Sequence, residues 1–167
     1  MVLIYSNAYV RWKCVFRECG AACCEGGKEV TAGDIRRISK STGLKPEQFA
    51  ELEDDKGLFR LKNRDGDCLF LNADKSCRLH KEGVKPIFCQ MFPFKFDGII
   101  YTDEIILKVK AFKDCPGFGK GKKIGDSFEA RIEELGNKFV KEIKEFLRLK
   151  REGVKTEEII KGGKCSA

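Results

Sequence analysis

A small α+β fold is predicted: a cysteine-rich metal-binding domain of short strands and helices, followed by one long C-terminal amphipathic helix. Three observations predict it. Eight cysteines fall as a dense group, Cys14, Cys19, Cys23 and Cys24, and four single followers, Cys68, Cys77, Cys89 and Cys115. Between them run brief β-branched and aromatic stretches broken by Gly, Pro, Asn and Asp, the pattern of short strands and turns. From Asp126 onwards Phe128, Ile132, Leu135, Phe139, Ile143, Phe146 and Leu149 recur at steps of three and four, which draws one apolar face on a helix.

A chain of 167 residues is read as one domain, with residues 1–125 as the cysteine region and 126–167 as a helical region packed on it. Its length allows a real core without metal. The start, Met1 to Asn7, has no basic stretch, long apolar run or small-residue cleavage site, so no secretory signal is expected. No 18-residue apolar run predicts a membrane span. The expected compartment is the cytoplasm. Thiols stay reduced there, and clustered cysteines are ligands or catalysts rather than disulfides. Core packing alone does not require four cysteines within eleven residues. Thiolate is a soft donor suited to zinc and to iron–sulfur clusters.

The adjacent pair Cys23 and Cys24 carries a geometric constraint. Neighbouring side chains oppose each other in a strand and diverge by about 100° in a helix. The pair either serves two sites, or one thiol ligates while the other supports it or reacts.

In chain order, residues 2–12 favour an extended lead-in. Glu25-Gly26-Gly27 is a turn. Thr31 caps a helix with Asp34 in its first turn, Ile35 and Ile38 facing inward and a stop near Gly43. Pro46 opens a short helix with Phe49 and Leu52 on one face. Residues 54–57 form a loop. Leu58–Lys62 and Cys68–Leu71 read as a hairpin joined by residues 63–66. A turn over residues 72–76 leads to Cys77, a short helix passes through Leu79, and Pro86 opens another through Phe88, Cys89 and Met91. Phe94 and Phe96 begin a strand, Asp97-Gly98 reads as a two-residue turn returning into Ile99–Tyr101, and Ile105, Leu107 and Val109 alternate as a strand. Cys115 to Gly125 is a glycine-rich loop. It lacks the G-x4-G-K-[ST] spacing of a phosphate-binding loop, and no Ser or Thr follows Lys122. The long helix runs from Asp126 to about Arg151, Gly153 ends it, and Thr156 caps a last helix through Ile160. Residues 161–167 form a tail.

Charged residues make up 35% of the chain and the formal net charge is +7. That count takes every thiol as neutral. Two four-thiolate sites, each about −2, bring it to about +3, so the basic excess is a poor argument for nucleic acid.

These motifs resemble the YkgJ-type cysteine-cluster family, a zinc- or iron-chelating domain whose members are often described as Fe–S oxidoreductases. The resemblance rests on Cys19-Gly20 to Cys23-Cys24, Cys68 to Leu71, Cys77 to His80, Lys85-Pro86 to Cys89 with Phe92-Pro93-Phe94, and Cys115-Pro116-Gly117. All eight cysteines fall in the family order. The chain departs in its looser first group, in His80 where the family has tyrosine, in Lys85 for arginine before Pro86, and in Gln90 for arginine. The resemblance implies a metal site built from Cys14, Cys19, Cys23, Cys24, Cys68, Cys77, Cys89 and Cys115, and it defines no reaction.

Two functions are therefore expected to compete. The first is an iron–sulfur protein, with one or two 4Fe-4S clusters, in electron transfer or redox support of a partner enzyme. The alternative is a zinc-stabilised binding module with no redox role. A nucleic-acid binder ranks below both, because no interleaved aromatic–basic motif appears. Cysteine catalysis lacks a clear base, since His80 is the only histidine. C-x-x-H is acceptable zinc spacing, but eight cysteines already fill two four-ligand sites, so His80 is read as a polar neighbour. Cys165, in the glycine-rich tail, is expected not to ligate.

Overall fold

In a computed structural model, two hydrophobic clusters are bridged by one helix, Asp126–Arg151. The structure describes residues 2–5, 10–53, 56–101 and 105–162, with backbone only at residues 2, 98–101 and 105. The tail with Cys165 and part of the 54–57 loop lie outside the described residues.

In chain order the elements are β1 (Val2–Tyr5), β2 (Arg11–Trp12), a 3-10 turn (Ala22–Cys24), β3 (Glu29–Thr31), α1 (Ala32–Thr42), α2 (Pro46–Phe49), β4 (Ala50–Glu51) and β5 (Leu58–Leu61). Then follow β6 (Asn63–Arg64), β7 (Asp67–Cys68), α3 (Arg78–Lys81), α4 (Ile87–Gln90), β8 (Phe94–Tyr101), β9 (Ile105–Ala111), β10 (Phe118–Lys123), α5 (Asp126–Arg151) and α6 (Thr156–Lys161). The mixture of short strands and helices with a long late helix is the predicted α+β class.

The first cluster packs α1, α2, α6 and the sheet β3-β5-β4 against Phe146 of α5. The predicted cap is present as a reciprocal pair. Thr31 Oγ1 accepts the Asp34 N–H at 3.0 Å, and Asp34 Oδ2 accepts the Thr31 N–H at 3.1 Å. Two of the helix's orphan donors are thereby satisfied. Ile35 and Ile38 are fully buried, as their spacing demands. The second cluster packs α4 and the sheet β1-β9-β8 against Ile132, Leu135 and Phe139 of α5. β1 runs parallel to β9, and β8 is antiparallel to it. The late helix thus has one face divided between two cores.

Several expectations are corrected. Leu58–Leu61 does not pair with 68–71. It is the middle strand between β3 and β4, which buries Phe59 and Leu61. The hairpin is the smaller β6/β7 pair, because Asp65 and Gly66, at φ 52° and 87°, form a two-residue turn of the primed kind. The Asp97-Gly98 pair is not a turn. β8 runs through it with a register shift between Phe96 and Gly98, a bulge that uses the same permissive residues. Part of the predicted glycine-rich loop is β10, paired with β2. Helix α2 stops at Phe49, so Leu52 reaches the first cluster from beyond it. Lys155 takes the cap position of α6, and the Thr156 hydroxyl instead accepts from Lys150 Nζ at 3.2 Å.

Candidate metal centre

Each cysteine is placed by local chemistry. After β2 the chain turns through Phe16–Ala21, with the Cys19 N–H on the Val15 carbonyl at 3.0 Å and the Ala21 N–H on Phe16 at 3.0 Å. Gly20 and Ala21 take left-handed backbone, φ 63° and 60°, and this swings the chain into the 3-10 turn. With three residues per turn, Cys23 and Cys24 leave that turn about 120° apart. The β6/β7 hairpin carries Cys68. An isolated bridge from Glu25 to Asp67 lays it beside Cys24, and the Gly26 N–H bonds the Gly66 carbonyl at 3.2 Å. Asp74 Oδ1 accepts the Ser76 N–H at 3.0 Å and closes the loop before Cys77, which bridges to Leu71. Cys89 rides on α4. Cys115 sits in a turn joined to the Phe112 carbonyl at 3.4 Å and to the Phe118 N–H at 2.8 Å.

The eight thiols fall into two sets that meet at the Cys23–Cys24 pair. Cys14, Cys19, Cys23 and Cys115 line one cavity of about 150 Å³, walled by Trp12, Val15, Phe16, Phe92 and Phe112. Trp12 Nε1 points its N–H at Cys115 Sγ, 3.5 Å away. The other four lie outside that lining and near one another, and their proximity adds to the upward shifts of Cys24, Cys68 and Cys89. Cys68 and Cys77 also pack against the first hydrophobic cluster. The adjacent cysteines therefore face different companions, one of the two outcomes their spacing allowed. Among the described residues no three His, Cys, Asp or Glu side chains form a metal-holding group. The thiols surround space and are not drawn onto a common point.

The electrostatics divide the thiols further. Cys24 donates its S–H to Cys23, and this bond, with Lys28 and Lys85 nearby, outweighs burial and lowers the Cys23 thiol to about 6. The same bond, with burial, drives Cys24 upward. Burial raises Cys14 and Cys68 and pushes Cys89 up to about 12. Cys89 is half-buried. Cys14 is the most open of the eight.

The polar support of the second set was not read from the sequence. Asp34 is buried, and its two oxygens accept the Ile87 N–H at 3.2 and 3.3 Å. The carboxylate that caps α1 thereby also holds the start of α4, two residues before Cys89. Arg37 bonds Asp34 at 2.5 Å and Glu142 of α5 at 2.6 Å, and the Thr31 hydroxyl donates to Glu142. Burial raises the Asp34 carboxyl, with Arg37 opposing. Three further residues of the site were missed: Trp12, Lys28 and Lys85. Of these only Lys85 carried a signal, as the residue before Pro86 in the cysteine motif.

The donor chemistry fits zinc or iron: two sets of four soft thiols, one around an aromatic-walled space. Comparison with known families gives the same answer. Residues 13–117 match the model of the CxxCxxCC family, whose description reads "Putative zinc- or iron-chelating domain". The chain belongs to this family. The match covers more than half of the chain and takes in all eight cysteines of the two sets. Metal binding is thus the function of the cysteine region. Searches of curated proteins and of solved structures returned no match. Among the described residues no helix is long and apolar enough to cross a membrane. His80 does not line the cavity of the first set; it opens onto a separate surface pocket with Gly83, Lys85, Gln90 and Arg131.

Proposed function

We propose that this member of the CxxCxxCC family is an iron–sulfur protein that exchanges electrons with a partner enzyme, and that all eight cysteines ligate. The observation that carries this reading is the cavity of about 150 Å³ among Cys14, Cys19, Cys23 and Cys115. A four-cysteine zinc site draws its sulfurs to about 2.3 Å from one centre and needs no such space. An iron–sulfur cluster fills volume with its own sulfide and supplies one-electron redox chemistry when bound. The chain's part is to hold four thiolates, to keep bulk water back with Trp12, Phe16, Phe92 and Phe112, and to place an N–H on Cys115. Hydrogen bonds to sulfur and limited solvent access are the levers that set a cluster's potential.

Cys14 opens to solvent, and the exposed charged residues around it are of both signs, Lys13, Arg17, Glu18 and Asp114. The reading places the protein in the reducing cytoplasm, where free thiols persist.

A second reading, a zinc-stabilised binding module without redox function, is favoured by the second set. Cys68 and Cys77 lie against the hydrophobic core, where a structural metal would staple short elements together.

Anaerobic purification followed by iron, zinc and acid-labile sulfide analysis decides between them. Iron with stoichiometric sulfide and broad visible absorption is the expected result. A colourless protein with zinc and no sulfide would overturn the redox reading and leave the zinc one.

A further inference from the structure

Outside the two cysteine sets, a pocket of about 290 Å³ opens between α3, α4 and the first turns of α5. Its lining is His80, Gly83, Lys85, Gln90 and Arg131. Two of these side chains carry full positive charge, a third is a histidine, the fourth is an amide, and none is acidic. The volume sits at the lower limit of small-molecule sites, about 300 Å³.

The pocket is held in shape by one residue. Gln90 donates its amide N–H to the Lys85 carbonyl at 2.6 Å, and its Oε1 accepts from Arg131. That clasp ties the chain before α4 to α5 and fixes the Arg131 guanidinium at the pocket mouth. Guanidinium groups present a planar fork of donors that matches carboxylate and phosphate oxygens. Glu134 stands 3.7 Å from one Arg131 nitrogen at an exposed position, a pairing of little strength. Glu82, beside Gly83, is turned to Arg78 and Ser41. Lys28 and Lys85 lower the Cys23 thiol. His80 and Arg131 have no such duty.

We propose that this pocket binds a small, multiply charged oxyanion, a dicarboxylate or a phosphate monoester, held by Arg131, His80 and Lys85 around the Gln90 amide. Gln90 directly follows Cys89 on α4, so the bound anion lies beside the helix that carries a cysteine of the second set.

The test is calorimetric titration of the metal-loaded protein at low ionic strength, once with inorganic phosphate and once with malonate. Chloride of matched ionic strength is the control. Saturable binding of either probe is expected, and the stronger of the two names the oxyanion class. Arg131→Gln should weaken binding about tenfold or more, through loss of charge-assisted bonds. Lys144→Gln removes the same charge about 20 Å further along α5 and should leave affinity unchanged. His80→Gln should weaken binding several-fold, and it keeps the test open if the Arg131 variant proves poorly soluble. No saturable binding beyond the chloride control would overturn the proposal. Equal weakening by Lys144→Gln would overturn it too, since only net charge would then be at work. Neither outcome bears on which metal the cysteines hold.

Discussion

The two cysteine sets offer the same four donors on different scaffolds. The set of Cys14, Cys19, Cys23 and Cys115 is carried by turns around β2 and β10, short ladders rich in glycine and exposed lysine. The set of Cys24, Cys68, Cys77 and Cys89 is fastened to the core. Cys68 and Cys77 touch the first cluster, and Cys89 rides α4, whose Ile87, with Met91 just past its end, is fully buried in the second. Two-stranded ladders are marginal alone in water, so the outer set's geometry depends on what its thiols bind. Hydrophobic packing and the buried Asp34 shape the inner set even before metal arrives. Under the proposed function this difference implies an order of events: the core presents the inner thiols, and metal organises the outer ones.

Stripping all metal from reduced protein gives the largest expected effect. Backbone hydrogen exchange should rise most at residues 14–28, 63–78 and 113–117, which hold seven of the eight cysteines in turns and short ladders. The sheet β1-β9-β8 and α5 should keep their protection. β8 and β9 form a ladder of their own backed by Leu107, Val109 and Phe139. Joint loss of protection in α5 and the cysteine turns, in one cooperative step, would show that the two scaffolds are not separable.

Asp34→Ala attacks the inner scaffold without touching a thiol. It removes the carboxylate half of the α1 cap and leaves the Thr31 and Ile87 N–H groups without their acceptor, while the Thr31 hydroxyl still accepts the residue-34 N–H. The Thr31 donor belongs to a cap worth about 1 kcal/mol, and the buried Ile87 donor left unsatisfied costs about 1–3 kcal/mol. Denaturant unfolding should therefore show a loss of about 2–4 kcal/mol. Metal loss should be confined to one set, because Ile87 positions Cys89. Asp34→Asn keeps one acceptor oxygen for the Ile87 N–H and should recover part of both losses. If Asp34→Ala released metal from both sets equally, the carboxylate would be acting on the whole fold rather than on α4.

Single ligand changes sharpen the comparison at intermediate size. Cys77→Ser and Cys115→Ser are each expected to lower metal content by one set's worth. The Cys77 variant should also lower the melting temperature more, since its side chain packs against the first hydrophobic cluster. Metal analysis paired with thermal unfolding checks this. Equal destabilisation by the two would mean that packing adds nothing to the inner set.

How far the sequence carried the reading follows the same division. α1 and α5 were legible because their signals are local: the Thr31–Asp34 cap, and a seven-residue apolar stripe on a period of 3.6. Adjacent residues fix that Cys23 and Cys24 diverge as they leave their turn, but not that Cys24 bonds back to Cys23. Nor do they fix which cysteines join which set, because that is decided by long-range pairings such as Glu25 with Asp67. The strand partners of Leu58–Leu61 were missed for the same reason; proximity in sequence favoured a hairpin, and burial of Phe59 and Leu61 favoured the β3 and β4 edges. Asp97-Gly98 misled because a turn and a bulge ask for the same residues. Asp34 was read only as an acid in the first turn of α1, since nothing local shows that a partner lies 53 positions away.

Trp12→Phe gives the smallest expected effect and probes the outer set alone. The change keeps an aromatic ring against Phe92, which Trp12 meets edge-on at 5.8 Å, and deletes only the N–H pointed at Cys115. At 3.5 Å to sulfur the contact is long, and a single hydrogen bond contributes about 0.5–1.5 kcal/mol. Removal should thus speed metal release from the outer set about two- to tenfold, with total metal content unchanged. Chelator competition should resolve two phases in the wild-type protein, the faster from the outer set because Cys14 is exposed. In Trp12→Phe the fast phase alone should accelerate. Cys115→Ser, which removes the sulfur itself, should abolish that phase and so confirms its assignment. If Trp12→Phe sped both phases alike, the two sets would release metal as one unit across the Cys23–Cys24 contact, and the contrast between an inner and an outer scaffold would fail.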